Sequence, residues 1–324
     1  MSDAPTYQTV MVTGANAFYS AAIIERLVDR GVKIHAVVRR ESAGKPLEGN
    51  YGDKVRVFIA PDLTTPDAFR DAIRGCDAVF HVASPFRYEF TDAAAEVLDP
   101  AVNCAVAALQ AAAGEPKVKR VVLTSSVAAC LDPLHPSGFH RPGHTYTEAD
   151  WNPVGYEQAA KLAAFPPKRH FDLVSINPCH TWGSYGQAVA RAADMNATNS
   201  DLAKLIDGEE AEVPRTIMPW MCDISEVAQA HINALYRPEA SGRYIIANHE
   251  YDFQQVVDLL HDKFRDSDWI KNVPKGTPGK KAIGDHFVLD NTRSREELGV
   301  EYSDWKQSVI DFCSQYQEDR KRFT

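Results

Sequence analysis

The stretch VMVTGANAFYSAAIIERLVDRG, from Val10 to Gly31, decides how the rest of the sequence is interpreted. Apolar residues precede a glycine, and a pattern of helical period follows and ends at a second glycine. This order predicts a strand, a tight turn and a helix whose first N–H groups point toward the end of the strand. Such a helix N-terminus suits the phosphates of a dinucleotide. The stretch therefore predicts the first strand and helix of a nucleotide-binding α/β fold.

The glycines typical of such a turn are only partly present. In a T-G-x-x-G-x-x-G spacing, Gly14 is kept, while Ala17 and Ser20 occupy the two later glycine positions. Both replacements are small, so a phosphate can still approach the backbone, but an alanine is strained wherever the turn requires a positive φ. The context predicts nucleotide binding, and a purely structural strand, turn and helix is the alternative.

The same alternation continues along the first half of the chain. Apolar runs predict five more strands, with the sequences VKIHAVVR, KVRVFIA, DAVFHVA, RVVLTSS and DLVSINP, and helix-period segments lie at 65–75 and 94–114. This pattern predicts the α/β class with a doubly wound parallel sheet. Beyond residue 183 the order of elements changes. We therefore expect a nucleotide-binding core at 1–183, to which 218–248 returns, and a smaller C-terminal substrate lobe at 184–324.

Composition and charge narrow the class of partner. The 324 residues are 44% apolar, and a net charge of -9 is spread along the chain without basic blocks, which argues against nucleic acid and anionic membranes as partners. The N-terminal MSDAPTYQ lacks a signal-peptide pattern, and the apolar stretch AVNCAVAALQAAAG is expected to be too short to span a bilayer. The six cysteines form no CxxC pair, which is typical of reduced thiols in the cytoplasm.

The ends of the second and third predicted strands indicate which nucleotide is bound. Arg39 and Arg40 stand where an acidic residue would bind the ribose 2′-OH of NAD and an arginine would bind the 2′-phosphate of NADP. The first acid there is Glu41, so NADP(H) is favoured, and two solvated arginines at a strand end are the alternative. Asp62 and Leu63 follow the third strand, where they can flank an adenine, although Asp62 equally suits a turn cap.

Several phrases occur together in one order: VTGANAF, PDLT, FHVASPF, PAVN, RVVLTSSVAA, YTEADWNP, FDLVSINP and DISEVAQAHINAL. Their order and spacing, over about Val10 to Phe312, resemble the extended short-chain dehydrogenases/reductases of the NAD-dependent epimerase/dehydratase family. Within it they resemble the group of dihydroflavonol 4-reductase, cinnamoyl-CoA reductase and methylglyoxal reductase. The resemblance implies a Rossmann core, NADPH as cofactor, and reduction of an aldehyde or ketone.

The resemblance also implies which residues form the site. Contacts with the nucleotide fall on Gly14, Asn16, Ala17, Phe18, Arg39, Asp62, Leu63, Ala83 and Ser84, with Pro178, Thr181 and Thr198 nearer the nicotinamide and phosphates. Ser126, the second serine of TSS, matches the catalytic serine of the family. A hydroxyl at the C-terminal end of the fifth strand can hydrogen-bond a substrate carbonyl, or it can merely cap the next turn.

The proton donor is less regular. The family carries Y-x-x-x-K, in which the tyrosine protonates the carbonyl and the lysine lowers its pKa and holds the nicotinamide ribose. In GYEQAAKLAAFPPKRH, from Gly155 to His170, Tyr156 and Lys161 are five residues apart, or about 140° around a helix. Pro166 and Pro167 prevent the helix from extending further. By alignment, Tyr156 matches a pre-catalytic tyrosine, and the usual catalytic segment is missing.

Three interpretations of this segment stay open. In the preferred one, Tyr156 and Lys161 are a non-standard acid pair, and Tyr156 also contacts the cofactor, in a reductase that is a monomer or homodimer. In the second, the chain is an NADP(H)-binding protein without catalysis, a sensor or partner subunit. In the third, a skipped exon has removed the segment from the gene model. No metal is expected, because the histidines of LHPSGFHRPGH lie in a Pro/Gly-rich loop.

Overall fold

The structure, a computed structural model, describes residues 6–85, 91–92, 94–136, 140–154, 170–281 and 283–323. Its main sheet has seven strands: β1 (Thr9–Thr13), β2 (Lys33–Val38), β3 (Val55–Ile59), β4 (Ala78–His81), β5 (Arg120–Thr124), β7 (Asp172–Pro178) and β10 (Gly242–Ile246). A two-stranded sheet contains β6 (Thr145–Tyr146) and β12 (Val288–Leu289), and a three-stranded sheet contains β8 (His180–Trp182), β9 (Trp220–Asp223) and β11 (His249–Glu250).

The strand order of the main sheet is β10-β7-β5-β4-β1-β2-β3. The chain starts at β1, adds β2 and β3 on one side, and then adds β4, β5 and β7 on the other. All pairings among these six strands are parallel. The six strands predicted from the sequence are confirmed within a residue or two at each end, and the fold is a doubly wound α/β sheet of the Rossmann type.

Helices connect and flank these strands. In chain order they are α1 (Phe18–Asp29), α2 (Glu41–Tyr51), α3 (Asp99–Gly114), α4 (Ala197–Asp207), α5 (Ile224–Tyr236), α6 (Phe253–Lys263), α7 (Thr292–Glu296) and α8 (Trp305–Asp319). The helix expected at 65–75 is wrong. Only a 3-10 turn forms at Pro66–Phe69, and the backbone bonds from Arg70 to Asp67 and from Cys76 to Ile73 have the i→i−3 spacing of turns. The buried side chains of Phe69, Ala72 and Ile73 recur at the i, i+3, i+4 spacing of a helix, which explains why the sequence pattern predicted one.

Helix α3 covers the apolar surface of the main sheet. Its residues Ala107, Ala108, Leu109 and Ala112 pack with buried side chains of β1, β2, β4 and β5 in one hydrophobic cluster. The whole helical segment Ala94–Gly114 has 21 residues and a mean hydropathy of 1.3, so it is long and apolar enough to cross a membrane. The expectation that this region is too short is therefore wrong. A helix that packs on a protein core can meet the same criterion. Helix α3 packs in the cluster, and 33% of the window that meets the criterion is buried.

The chain folds into two compact units. The first contains residues up to Ser125 together with Pro153–Ile176 and Ala228–Tyr244, and therefore most of the main sheet. The second contains Ser126–Asn152, Asn177–Val227 and Ile245–Thr324, with the two small sheets, α4 and α6 to α8. Strand β10 belongs to the main sheet, while the return of 218–248 as a whole, the division at residue 183 and the role of the C-terminal lobe stay predictions.

Candidate active site

A cavity of about 550 Å³ opens in the first unit, where β1, β2, β3 and β4 end. In a parallel α/β sheet, ligands bind at this edge, beside the point where the strand order reverses. Its walls are formed by Gly14, Asn16, Ala17, Val37, Val38, Arg39, Pro61, Asp62, Leu63, Thr64, Val82, Ala83, Ser84, Pro85, Pro100 and Cys104. The structure thus brings eight of the predicted cofactor residues together around one space: Gly14, Asn16, Ala17, Arg39, Asp62, Leu63, Ala83 and Ser84.

The turn after β1 has the geometry that a dinucleotide requires. Gly14 has a φ of +62°, and a Cβ on it would lie 3.0 Å from the Cα of Ala83. Glycine is therefore needed here both for conformation and for close approach. Ala17 has a φ of -89° and a ψ of 167°, which any residue adopts. The strain that a positive φ would impose on Ala17 does not arise, so loss of the second glycine leaves the turn intact.

The N-terminus of α1 is open to an anion. No side chain caps it, its first turn contains no acidic residue, and its N-cap residue Ala17 lines the cavity. The partial positive charge of a helix N-terminus favours phosphate at such a position. At the third glycine position, Ser20 is fully buried in α1, which shows that a hydroxymethyl group fits against the sheet. The cavity therefore fits a dinucleotide pyrophosphate despite the altered glycine pattern.

The two arginines after β2 differ in position. Arg39 lines the cavity, whereas Arg40 is the N-cap residue of α2. Within the described part of the chain, neither guanidinium has an ion-pair partner. The first acid, Glu41, is paired with Lys45 at 3.2 Å between Oε1 and Nζ. No carboxylate thus competes with a 2′-phosphate for Arg39, and the geometry favours Arg39 over Arg40 as its ligand.

Asp62 forms the turn cap that its sequence position allowed, and it also lines the cavity. Its Oδ1 accepts hydrogen bonds from the backbone N of Thr64 at 2.9 Å and from the Thr64 hydroxyl at 2.7 Å, as in an Asx-turn. The hydroxyl and backbone bonds from Thr64 hold the pKa of Asp62 below its ordinary value. Asp62 and the neighbouring Leu63 both line the cavity, so a charged side chain and an apolar side chain border the space in which an adenine is expected.

Ser126 follows β5 by two residues and is exposed. It is the N-cap of the 3-10 turn Val127–Ala129, and its Oγ accepts a hydrogen bond from Ala128 N at 3.1 Å. The backbone oxygen of Ser126 accepts from Asn177 Nδ2 at 2.9 Å, which ties this turn to the end of β7. The capping role is therefore real, and since it uses only a lone pair, the Ser126 hydroxyl proton remains able to donate to a carbonyl oxygen.

The remaining predicted residues take different places. Phe18 is buried, its ring contacts Tyr19 at a centroid distance of 5.6 Å, and it is not among the residues that line the cavity. In the second unit, Thr181 is fully buried and donates to the Cys179 carbonyl at 3.0 Å, and the Thr198 hydroxyl donates to the Thr181 carbonyl. Pro178 ends β7. The hydroxyl protons of both threonines are thus donated within the protein, so a cofactor contact there would use a hydroxyl lone pair or the backbone.

Tyr156 and Lys161 lie outside the described residues. Sequence reasoning missed Pro100 and Cys104 as cavity residues, although Pro100 begins the phrase PAVN and Cys104 directly follows it. Burial raises the pKa of the Cys104 thiol to about 11, so it is an unreactive part of the wall. Among the described residues, no group of three His, Cys, Asp or Glu side chains is placed to hold a metal ion.

Comparisons with known proteins agree with this geometry. A family model described as NAD(P)H-binding matches residues 14–161. The chain is 30% identical over 332 residues to "Ketoreductase azaE" of Aspergillus niger, with 93% of this chain and 95% of the relative covered. It is 29% identical to "Putative NADPH-dependent methylglyoxal reductase GRP2" of Candida albicans, with 95% and 98% covered. That alignment runs over 347 positions, so the relative has residues without a counterpart in this chain of 324.

Solved structures give the same result. The structure titled "Crystal structure of yeast methylglyoxal/isovaleraldehyde reductase Gre2 complexed with NADPH" superposes with a TM-score of 0.83 at 26% identity. The superposition covers 98% of this chain and 100% of the yeast chain. Sequence similarity along nearly the whole length, the doubly wound sheet and the open helix N-terminus at the cavity lead to one conclusion. The chain belongs to the extended short-chain dehydrogenase/reductase family.

Proposed function

We propose that this protein is an NADPH-dependent reductase that converts an aldehyde or a ketone to an alcohol. The observation that carries the proposal is the cavity of the first unit, in which the positive-φ turn at Gly14, the uncapped N-terminus of α1 and the Arg39 guanidinium lie together. Relatives that match nearly the full chain are named as NADPH-dependent reductases and ketoreductases. This likeness favours a reductase over a non-catalytic binding protein.

The residues divide the work as follows. Ala17 and the first turn of α1 would hold the pyrophosphate, Arg39 the 2′-phosphate, and Asp62 with Leu63 the adenine. The bound cofactor supplies hydride to the carbonyl carbon, and the protein must supply a proton to the carbonyl oxygen. Ser126 would orient that oxygen with its free hydroxyl proton. Tyr156 would give the proton, and Lys161 would lower the pKa of Tyr156 and hold the nicotinamide ribose.

The proposal also covers the cellular compartment, the substrate class, the partners and the oligomeric state of the protein. All six cysteines are free and buried, which supports a reducing compartment such as the cytoplasm. A small carbonyl compound as substrate follows from the names of the relatives. The absence of nucleic-acid and membrane partners and a monomeric or homodimeric state stay predictions, which size-exclusion chromatography with light scattering can test for the oligomer.

Cofactor preference is the first test. We expect NADPH to bind at least tenfold more tightly than NADH, because a hydrogen bond to a charged group contributes roughly 1.5–3 kcal/mol. Arg39→Gln should remove most of this preference, because it should lower the affinity for NADPH and leave the affinity for NADH unchanged. Arg40→Gln is the matched control, since Arg40 caps α2 and does not line the cavity, and it should bind both as the wild type does. Calorimetric titration of the wild type and both variants with NADPH and with NADH measures the six affinities, and a wild type that prefers NADH would contradict the assignment.

Turnover is the second test. Purified protein should oxidise NADPH with some member of a panel of aldehydes and ketones, and Tyr156→Phe should slow this by roughly 10²–10⁴-fold, the usual contribution of a positioned proton donor. Ser126→Ala should slow it as well, because the carbonyl loses a hydrogen-bond donor. Tyr51→Phe, at the end of α2, is a matched loss of one phenol that should change nothing.

The same assay separates the alternatives for the shortened segment. An unchanged rate in Tyr156→Phe would remove Tyr156 from the mechanism, and tight NADPH binding without turnover would favour a binding protein. Sequencing the transcript across codons 155–172 tests for a skipped exon. The longer alignment with the Candida relative supports the prediction that residues are missing from this chain. Gain of activity after insertion of a Y-x-x-x-K helix between Ala160 and His170 would show that only the proton donor is lacking.

A further inference from the structure

A buried threonine–histidine pair lies behind one wall of the cavity in the first unit. Thr13 and His81 are the last residues of β1 and β4 and stand opposite each other in the parallel pairing of these strands. Thr13 is 0% exposed and His81 3% exposed, and neither lines the cavity. No role described so far uses them, although Gly14 and Val82, which directly follow them in the chain, form part of the wall.

The hydrogen bonds of the Thr13 hydroxyl fix where its proton points. Thr13 Oγ1 accepts from Val82 N at 3.2 Å and from Ala83 N at 3.1 Å. A hydroxyl has two acceptor lone pairs and one proton, so both lone pairs are occupied. The third neighbour of Oγ1 is His81 Nδ1 at 3.0 Å. The hydroxyl proton must therefore point to Nδ1, which leaves Nδ1 unprotonated and places the ring proton on Nε2.

The ring is held neutral by its surroundings. His81 is enclosed by the sheet, and the edge of the Phe69 ring packs against it at a centroid distance of 6.5 Å. Burial lowers the pKa of His81 to about 4. The imidazole is thus an acceptor at Nδ1 throughout the neutral range, and it does not turn into a donor that would repel the Thr13 proton.

These bonds position a wall of the cavity. Val82 and Ala83 both line it, and their N–H groups are the two that Thr13 holds. Across from them stands Gly14, where even a Cβ would come within 3.0 Å of the Ala83 Cα. Because no side chain separates the two segments, a small movement of Ala83 changes the space beside the Gly14 turn directly. The position of Ala83 depends on Thr13, and the orientation of the Thr13 hydroxyl depends on His81.

We propose that His81 is a positioning residue for the cofactor cavity: by accepting the Thr13 hydroxyl proton, it keeps Thr13 as the acceptor for the Val82 and Ala83 amides. The inference rests on the proposed function, because NADPH is taken as the ligand of the cavity. Without an acceptor at Nδ1, the buried hydroxyl would turn its proton elsewhere and release one of the two amides. Binding of NADPH would then have to restore the wall, which weakens the affinity.

Two substitutions of similar size separate the acceptor from the ring. In His81→Asn, Oδ1 is the same number of bonds from the backbone as Nδ1 and can accept the Thr13 proton, whereas His81→Leu has no acceptor. We expect the dissociation constant for NADPH to rise roughly tenfold in His81→Leu, as for one buried hydrogen bond left unmade. His81→Asn should bind NADPH within about threefold of the wild type. Thermal unfolding of each variant reports the structural cost separately.

Long-range ¹⁵N–¹H correlation spectra of the imidazole nitrogens give a readout that needs no cofactor. The His81 signals, identified by their loss in His81→Asn, should have the pattern of an Nε2–H neutral ring. A proton on Nδ1 would overturn the proposal, and so would equal affinities of the Asn and Leu variants, or a lower melting temperature in His81→Leu without a change in NADPH affinity. A wild type that fails to bind NADPH would overturn the proposed function and the positioning role together. Failure of the positioning role alone is recognised by a wild type that binds NADPH.

Discussion

At the scale of single residues, glycine is required only where the backbone and its neighbours leave no alternative. Three positions of the nucleotide turn are glycines in a regular fingerprint, and this chain keeps one of them, Gly14. The structure accounts for the selection. Gly14 has a positive φ and touches Ala83, Ala17 has ordinary extended angles, and Ser20 packs on the helix side of the turn. The altered fingerprint therefore keeps the one glycine whose replacement is sterically blocked.

Gly14→Ala tests this directly, with Gly31→Ala as its control. Both glycines have a positive φ, +62° and +78°, but a Cβ on Gly31 meets nothing within 4 Å. Gly31→Ala should lower the free energy of unfolding by about 1–2 kcal/mol, the cost of a left-handed conformation for alanine, and leave NADPH affinity unchanged. Gly14→Ala should lower it further and abolish tight NADPH binding. Denaturant unfolding and NADPH titration measure both, and equal behaviour of the two variants would contradict the steric argument.

At the scale of elements, helix N-termini differ in whether the side chain of the N-cap residue caps them. The N-termini of α6 and α8 are capped by Asp252 and Asp304, whose carboxylates accept from Gln254 N at 2.8 Å and Lys306 N at 3.1 Å. The N-terminus of α1, beside the cavity, has no side-chain cap. Capping satisfies first-turn N–H groups internally, whereas an uncapped end keeps its positive potential for a ligand. The N-cap residues of α2, α3, α4 and α7 likewise make no side-chain cap. The uncapped end of α1 therefore suits a phosphate because of its place beside the cavity.

The caps of α6 and α8 should differ in their contribution to stability. Asp252 is 1% exposed, and its second oxygen also accepts from Ile283 N at 2.8 Å, whereas Asp304 is exposed and caps its helix only. Asp304→Ala should cost about 1 kcal/mol of unfolding free energy, as for an ordinary cap. Asp252→Ala should cost roughly 2–3 kcal/mol, because the partly buried N–H of Ile283, on a separate segment, also loses its acceptor. Urea unfolding of both variants measures this, and equal losses would refute it.

At the scale of the whole molecule, distant segments of the chain are joined by buried polar groups. In the first unit, the buried guanidinium of Arg120 on β5 donates to the carbonyls of Ala234 and Pro238 at 2.8 and 2.9 Å and pairs with Asp172 at 3.0 Å. In the second unit, the Glu226 carboxylate accepts from Asp223 N, Asn248 Nδ2 and Ser303 N at 2.7–2.8 Å. Each group joins segments that are far apart in sequence, which hydrophobic periodicity alone cannot do.

Glu226 should make stability depend on pH. Burial raises the pKa of Glu226 to about 7, against the opposing effect of hydrogen bonds from Asp223 and Ser303. A carboxyl whose pKa is higher in the folded than in the unfolded state stabilises fully below the unfolded value, and this contribution is lost as pH rises from about 4.5 to about 7. We expect the wild type to lose roughly 2–3 kcal/mol across this window relative to Glu226→Gln, which does not titrate. Urea unfolding at several pH values measures the difference, and parallel pH profiles would refute the assignment.

The local sequence predicts the strands of the main sheet, their parallel class, the nucleotide turn and half of the residues around the cavity. These features depend on local apolar runs, on the glycine in a tight turn and on the order of strands and helices. All of them can be recognised in short segments of the sequence. Where local signals conflicted, the prediction was wrong or missing. Helix α2 was not predicted, because it contains Gly44 and Pro46, which disfavour a helix. The reason for Gly44 is visible only in the structure, where a Cβ at this position would meet Val57 of β3.

Only the tertiary structure decided which of several suitable residues reach the site. Arg39 lines the cavity and Arg40 does not. Ser126 caps a turn by accepting a hydrogen bond, which leaves its hydroxyl proton able to donate. His81 lies beside Thr13, which is 68 residues earlier in the chain. Each outcome depends on packing or on a hydrogen bond between residues distant in sequence. Burial and the direction of a lone pair are properties of the assembled neighbours, so no pattern within one segment contains them.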